Sequence, residues 1–308
     1  MPTCRLRVVV AAEESAGVQV LHHLAALTPR PEIVGVLTTT EGGGERRALV
    51  YEAARTHGLQ TWPAELVRSP DLAEHLQRFG VDLFLNVHSL FLVHPDVIAA
   101  ARIGSFNLHP GPLPEYAGLN VPSWAIYNGE ATHAVTLHWM DEGIDTGPIA
   151  WLERFALSPA ETGLSVSGKC VRLGVPLLVK LVETAGEDVS SIPRHEQDRS
   201  RRRYFPPGPP EEGRLDWARP AADVLRFVRA ADYVPFPSPW RHPEADLGSR
   251  RVGIAKAAPI GTPTNDAPGT VRDVDENGAV VATGDEFVIV QRVWSDGRYV
   301  KPTELLAP

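Results

Sequence analysis

The chain has 308 residues, 43% of them hydrophobic and 22% charged, which is ordinary soluble usage and enough for one large domain or two modest ones. A formal net charge of −8 weighs against a nucleic-acid partner, because neutralising phosphates takes clustered Lys and Arg. Cys4 and Cys170 are the only cysteines, too few for a disulfide framework or thiolate zinc site, and the opening Met1-Pro2-Thr3-Cys4-Arg5 carries no signal-peptide pattern, so a cytoplasmic enzyme without a membrane span is the expectation.

The predicted elements begin with a buried strand over residues 6–11 (LRVVVA). Val18, Leu21, Leu24 and Leu27 then recur at helical spacing over 17–27. Residues 32–39 (EIVGVLTT) read as a second strand and 46–57 as a helix stopped by Gly58. A helix over 71–79 stops at Gly80, and 81–87, 103–108 and 134–140 read as further strands. This alternation predicts an α/β fold, a doubly wound and mostly parallel sheet with ligands beyond the carboxyl ends of its strands.

Two common ligand signatures are missing. Ala11-Ala12-Glu13-Glu14-Ser15 stands where a dinucleotide-binding glycine turn belongs, and there is no P-loop, which argues against a nicotinamide or ATP enzyme. Tyr204-Phe205-Pro206-Pro207-Gly208-Pro209-Pro210 can be neither helix nor central strand. The expected division is a catalytic domain over 1–195, a linker over 196–212 and a smaller β-rich, barrel-like domain over 213–308. In the last of these, a helix over 221–231 precedes short strands near 251–257, 269–274, 279–283 and 287–294. The basic run Arg199-Ser200-Arg201-Arg202-Arg203 falls in the linker and reads as solvated chain.

The chemistry concentrates between Gly104 and Ile149. Asn107 and His109 lie two apart at the end of an apolar strand and leave the same face. Asp145 lies in a Gly-flanked loop after the strand over 134–140, and two strand-end loops of one parallel sheet meet at its carboxyl edge. An amide, an imidazole and a carboxylate there suit acyl transfer to an amine. Asn107 offers an N–H to a developing oxyanion, and such donors typically supply about 3–4 kcal/mol each. His109 offers a hydrogen bond or a proton, and Asp145 can fix its tautomer or accept the amine's proton through water. No Ser or Cys in this window is an evident nucleophile, so direct transfer is favoured over an acyl-enzyme. Each residue also has a plainer reading, since Asn and Asp form turns and a His before Pro is usually at the surface.

A resemblance singles out the first reading. Asn107-Leu108-His109-Pro110 with Leu113-Pro114, followed by Asp141-Glu142-Gly143-Ile144-Asp145-Thr146-Gly147, resembles the signature of the 10-formyltetrahydrofolate-dependent formyltransferases. The similarity covers nearly the whole chain, including residues 204–217 (YFPPGPPEEGRLDW) and the β-rich tail. It implies Asn107, His109 and Asp145 as catalytic residues and 10-formyltetrahydrofolate as formyl donor, with no metal. Ser89, Leu90, Phe91 and Leu92 are the implied pterin neighbours, although from the residues alone Phe91 and Leu92 read first as core. Asp141, Glu142, Gly143 and Ile144 resemble a loop that closes over the pterin ring. His138 matches a histidine of only some members and is expected behind the catalytic residues, while His88 and His133 read as structural.

For the acceptor, Ala117 stands after Tyr116 where the tRNA branch carries an arginine, and the segment Asn120-Val121-Pro122-Ser123-Trp124 is similar to peptide- and siderophore-pathway members. The expected acceptor is a small amino-acid-like or hydroxyornithine-like amine over Tyr116, Asn120 and Trp124. A nucleotide-linked amino sugar, methionyl-tRNA and water, as in a formyltetrahydrofolate hydrolase, follow in that order. Known hydrolases carry an extra N-terminal domain, and with a first strand at Leu6 none is expected here. A folate-binding scaffold is expected to have lost one of the three polar residues.

Overall fold

The computed structural model describes residues 5–39 and 45–306, so Cys4 and the first residues lie outside the described part. The chain forms two compact units. The first takes the chain as far as Ala117 together with Ala134–Phe155 and Lys169–Tyr204; the second takes Gly118–His133, Ala156–Gly168 and the chain from Phe205 onward.

Seven strands make the sheet of the first unit. In chain order its elements are β1 (Arg7–Ala12), α1 (Glu14–Ala26), β2 (Glu32–Thr38), α2 (Glu45–Thr56), β3 (Thr61–Pro63), α3 (Asp71–Arg78), β4 (Leu83–Val87), α4 (Pro95–Ala100) and β5 (Gly104–His109). After the two-residue β6 (Ala117–Gly118) and the helix α5 (Val121–Tyr127) come β7 (Thr132–Trp139), β8 (Ile149–Ala156) and α6 (Gly163–Glu187). The sheet order is β3-β2-β1-β4-β5-β7-β8. Its first five strands are parallel, and β5 pairs with β7 antiparallel. This bears out the α/β class. Val8, Val9 and Val10 of β1 and Leu83, Phe84 and Leu85 of β4 are all 0% exposed, as the unbroken apolar runs of central strands require.

Two features depart from the expectation. The strand ending at Trp139 runs against β5, so its end lies beside the start of β5 and away from the parallel strands' carboxyl edge. The sequence reading assigns no element to α6, where Gly168, Gly174 and Pro176 interrupt the pattern. Packing overrides propensity there: a Cβ at Gly174 would stand 2.9 Å from Val135 and 3.0 Å from Leu108, so the glycine brings the helix onto the sheet.

The second unit follows β9 (Tyr204–Phe205) with α7 (Ala221–Ala230), β10 (Glu244–Leu247), β11 (Arg250–Pro263), β12 (Val271–Asp275), β13 (Gly278–Ala282), β14 (Glu286–Ser295), β15 (Arg298–Val300) and α8 (Thr303–Leu306). Its antiparallel sheet is ordered β10-β11-β14-β13-β12, with β15 added on β14. Helices α5 and α7 pack within this unit through Tyr127 and Phe227, whose ring centroids lie 5.3 Å apart.

Candidate active site

Strand register builds the first half of the site. Asn86 on β4 stands opposite Asn107 on β5, which stands opposite His138 on β7, so three polar side chains form a row across three strands. Asn86 Nδ2 donates to Asn107 Oδ1 at 2.9 Å, turning the Asn107 NH2 toward His138 Nε2 at 3.0 Å and Asp145 Oδ1 at 3.4 Å. His138 Nδ1 lies 2.7 Å from the Trp139 carbonyl, which assigns it the proton and leaves Nε2 as acceptor. His138 therefore touches Asn107 directly.

His109 ends β5 and is 3% exposed. Its Nε2 lies 2.6 Å from the carbonyl oxygen of Tyr116, so Nε2 donates and Nδ1 is left facing Asp145 Oδ1 at 3.6 Å. The Tyr116 carbonyl thus sets the tautomer, a role the sequence offered to Asp145. Burial lowers the His109 pKa below its usual value; the Asp145 carboxylate and the Tyr116 carbonyl oppose this, and His138 adds to it. A neutral imidazole with a free Nδ1 at this position is a proton acceptor whose cationic form Asp145 stabilises.

Asp145 arrives by a different route from the predicted one. Because β7 is antiparallel, the loop between β7 and β8 must double back to bring Asp145 to the row. Gly147 permits this, since a Cβ there would stand 2.0 Å from the Trp139 carbonyl oxygen. Asp145 has φ 55°, a left-handed conformation that Asp tolerates better than most residues. Its carboxylate, 10% exposed, lies within 3.4 to 3.7 Å of Asn107, His109 and His138. Gln197 Nε2 donates to the carbonyls of Asp145 at 3.1 Å and Gly147 at 2.6 Å.

The basic run expected as solvated linker is tied to the same loops. Arg202 donates to the Ile144 carbonyl at 2.9 Å, Arg199 lies 3.8 Å from Asp141, Arg201 pairs with Glu115, and Arg203 lies 4.9 Å over the Tyr116 ring. The run nevertheless stays largely solvated, as expected, with the Arg199 and Arg201 side chains 68% and 62% exposed, so these contacts add to its hydration and do not replace it.

In the loop after β4, Leu90 and Leu92 are 42% and 71% exposed, whereas Phe91 packs on the core formed by β1, β4, α3 and α4, with Arg68 at 5.7 Å over its ring. Ser89 Oγ accepts a long 3.5 Å bond from the Phe91 amide. In the other loop, Asp141 accepts from the Gly143 amide at 3.1 Å and from Thr146 Oγ1 at 2.5 Å, leaving Glu142 and Ile144 exposed. Tyr116 is 3% exposed and offers the site its carbonyl, so its ring is not the open surface anticipated. Within the second unit, Asn120 donates to the Pro207 carbonyl at 2.7 Å and Trp124 to that of Pro206 at 3.3 Å. His88 has φ 58°, and burial lowers its pKa while Glu14 opposes the shift. Among the described residues no group of three His, Cys, Asp or Glu can hold a metal, and no helix is long and apolar enough to cross a membrane. Asn86 and Gln197 went unread in the sequence; an asparagine opposite Asn107 in the neighbouring strand was the available signal for the first.

A row of amide and imidazole groups with one carboxylate, and no nucleophile among them, fits stabilisation of a tetrahedral adduct. The profile of the formyl transferase family matches residues 5–182, and that of the formyl transferase C-terminal domain matches residues 209–307. The chain belongs to the formyl transferase family. It is 32% identical to the methionyl-tRNA formyltransferase of Synechococcus sp. (strain JA-3-3Ab) over 80% of this chain and 76% of that one. With the enzyme of the same name from Solibacter usitatus (strain Ellin6076) it shares 30% identity over 87% of this chain and 84% of that one. The fold is shared with the N-formyltransferase of Helicobacter canadensis, at TM-score 0.66 and 17% identity over 93% of this chain and 98% of the other. This formyltransferase therefore moves a formyl group from a formyl-folate to an amine.

Proposed function

We propose that this formyltransferase acts on a small amine, amino-acid-like or hydroxyornithine-like, with 10-formyltetrahydrofolate as donor and Asn107, His109 and Asp145 as the catalytic residues. The observation that carries the site is the convergence of Asn107 Nδ2, His109 Nδ1 and His138 Nε2 on one oxygen of Asp145 within 3.4 to 3.7 Å. The amine nitrogen attacks the formyl carbon, and the carbonyl electrons move to the formyl oxygen, which takes over the Asn107 N–H that rests on a long 3.4 Å bond to Asp145. The proton leaving the amine passes to His109 Nδ1, and Asp145 stabilises the imidazolium. As the bond from carbon to the folate nitrogen breaks, that nitrogen takes the proton back and His109 returns to neutral. His138 and Asn86 hold Asn107 in orientation.

The donor's pterin is proposed to lie along Ser89, Leu90, Phe91 and Leu92, with Asp141, Glu142, Gly143 and Ile144 as the closing loop. Exposed apolar Leu90, Leu92 and Ile144 fit a flat heteroaromatic ring, and Phe91 would contribute backbone. The catalytic part is proposed as residues 1–195, joined through 196–212 to the β-rich part over 213–308, with Asn120 and Trp124 proposed to contact the acceptor and the buried Tyr116 to act through its carbonyl.

The small-amine reading rests on the charge of −8 and on Ala117, and it is supported by the internal partners of the basic run. Methionyl-tRNA is the second reading, favoured by the names of the relatives at 30 to 32% identity. A nucleotide-linked amino sugar is the third: the Helicobacter canadensis enzyme was solved with folinic acid and dTDP-3-aminofucose. Formyl loss from 10-formyltetrahydrofolate, measured with and without a panel of amines, separates these readings from hydrolysis. Loss independent of any amine would contradict transfer.

A further inference from the structure

We propose that residues 197–203 are one positioning strap for both catalytic loops, with Gln197 as the positioning residue that sets Asp145. The inference rests on the assignment of Asp145 and His109 as catalytic. Asp145 sits in a left-handed conformation at the turning point of a loop that doubles back, so something must hold it. Gln197 does so through the carbonyls of Asp145 and Gly147, at 3.1 and 2.6 Å, and Arg202 adds the Ile144 carbonyl at 2.9 Å. The Gln197 amide has one workable orientation, because a flip would set Oε1 against two carbonyl oxygens.

The same segment reaches the loop that governs His109. Arg203 accepts from the Ala117 amide through its carbonyl at 3.0 Å and donates from Nε to the Glu115 carbonyl at 3.4 Å, with its guanidinium over the Tyr116 ring. Arg201 pairs with the Glu115 carboxylate. Tyr116, held between them, supplies the carbonyl that fixes the His109 tautomer. One stretch of chain therefore grips the backbone partner of His109 and the backbone of Asp145. It sets the 3.6 Å separation between His109 Nδ1 and Asp145 Oδ1. A strap of this kind acts on turnover through geometry, where a misplacement of about 1 Å costs on the order of 10²-fold.

The test uses the full chain and three variants, Gln197→Leu, Arg202→Met and Asp145→Asn. Turnover is read with KM for each substrate, alongside a nitrogen-15 imidazole titration of His109 by NMR. The groups facing His109 are Asp145, His138, His88 and the Tyr116 carbonyl, and only Asp145 is displaced by losing Gln197. Asp145→Asn should abolish most turnover and move the His109 midpoint to lower pH, since the carboxylate raises it. Gln197→Leu should lower kcat about 10- to 100-fold, leave the folate KM within about twofold and move the midpoint in the same direction. Arg202→Met should do the same to a smaller extent, and it decides the matter if Gln197→Leu does not fold. A lower melting temperature with kcat and the His109 midpoint as in the wild type, in whichever variant folds, overturns the strap. Wild-type turnover in Asp145→Asn overturns the catalytic assignment, and the strap's purpose with it.

Discussion

Two halves of the candidate site are held in place by different means. Asn86, Asn107 and His138 occupy adjacent positions in three hydrogen-bonded strands, so the sheet's register places them. Asp145 and the Tyr116 carbonyl lie on loops and depend on turn geometry and on the 197–203 segment. The strand half is rigid by construction, while the loop half can be displaced by changes outside the reacting groups.

The largest expected effect is loss of the carboxylate on which both halves meet. Asp145→Asn and Asn107→Ala should each lower kcat by about 10²–10³-fold with the fold intact, as removal of a transition-state partner does. Steady-state turnover and circular dichroism check this, and near-wild-type turnover in either variant removes that residue from the mechanism. A smaller effect follows from the buried imidazoles. Burial puts the His109 and His88 pKa values below the usual 6.5 in the folded state. The unfolded chain therefore binds more protons once the pH falls below 6.5, and stability present above that pH is lost on acidification. The melting temperature should fall between pH 6.5 and 5, before exposed carboxylates titrate, and His109→Asn should flatten that slope.

The apolar loop after β4 offers a second comparison, between core packing and ligand contact. Phe91→Asp should lower the melting temperature, because Phe91 packs on the core. Leu92→Asp, at a side chain 71% exposed, should leave the melting temperature unchanged and weaken folate binding. Calorimetry with a stable folate analogue distinguishes them, and equal loss of affinity and stability in both would place Leu92 in the core.

Much of the strand half was legible. Apolar β-branched runs announced β1, β2 and β4, and Asn107 with His109 stood at the end of another. The direction of β7 was not legible, because an amphipathic run carries no record of its partner's orientation; Asp145 does follow that strand and meet Asn107 and His109, but through a loop that doubles back and not at a parallel strand's end. Helix α6 was hidden by Gly174 and Pro176, which local propensity reads as breaks and packing against Leu108 and Val135 tolerates. Gln197 carried no signal, since an amide that binds two backbone carbonyls looks like any surface glutamine until the loop is folded. The arginine run reads correctly as solvated, but its contacts to the two loops carried no signal for the same reason, the partners being far away in sequence.

The central claim, direct formyl transfer to a small amine, is tested most directly by following formylated product from 10-formyltetrahydrofolate at two salt concentrations. One arm offers a panel of amino-acid-like amines and the other offers methionyl-tRNA. The account predicts formylation of a small amine whose KM changes little between about 50 and 200 mM salt, because few phosphate contacts are involved. Formylation of methionyl-tRNA alone, with affinity falling by orders of magnitude over that range, would contradict it.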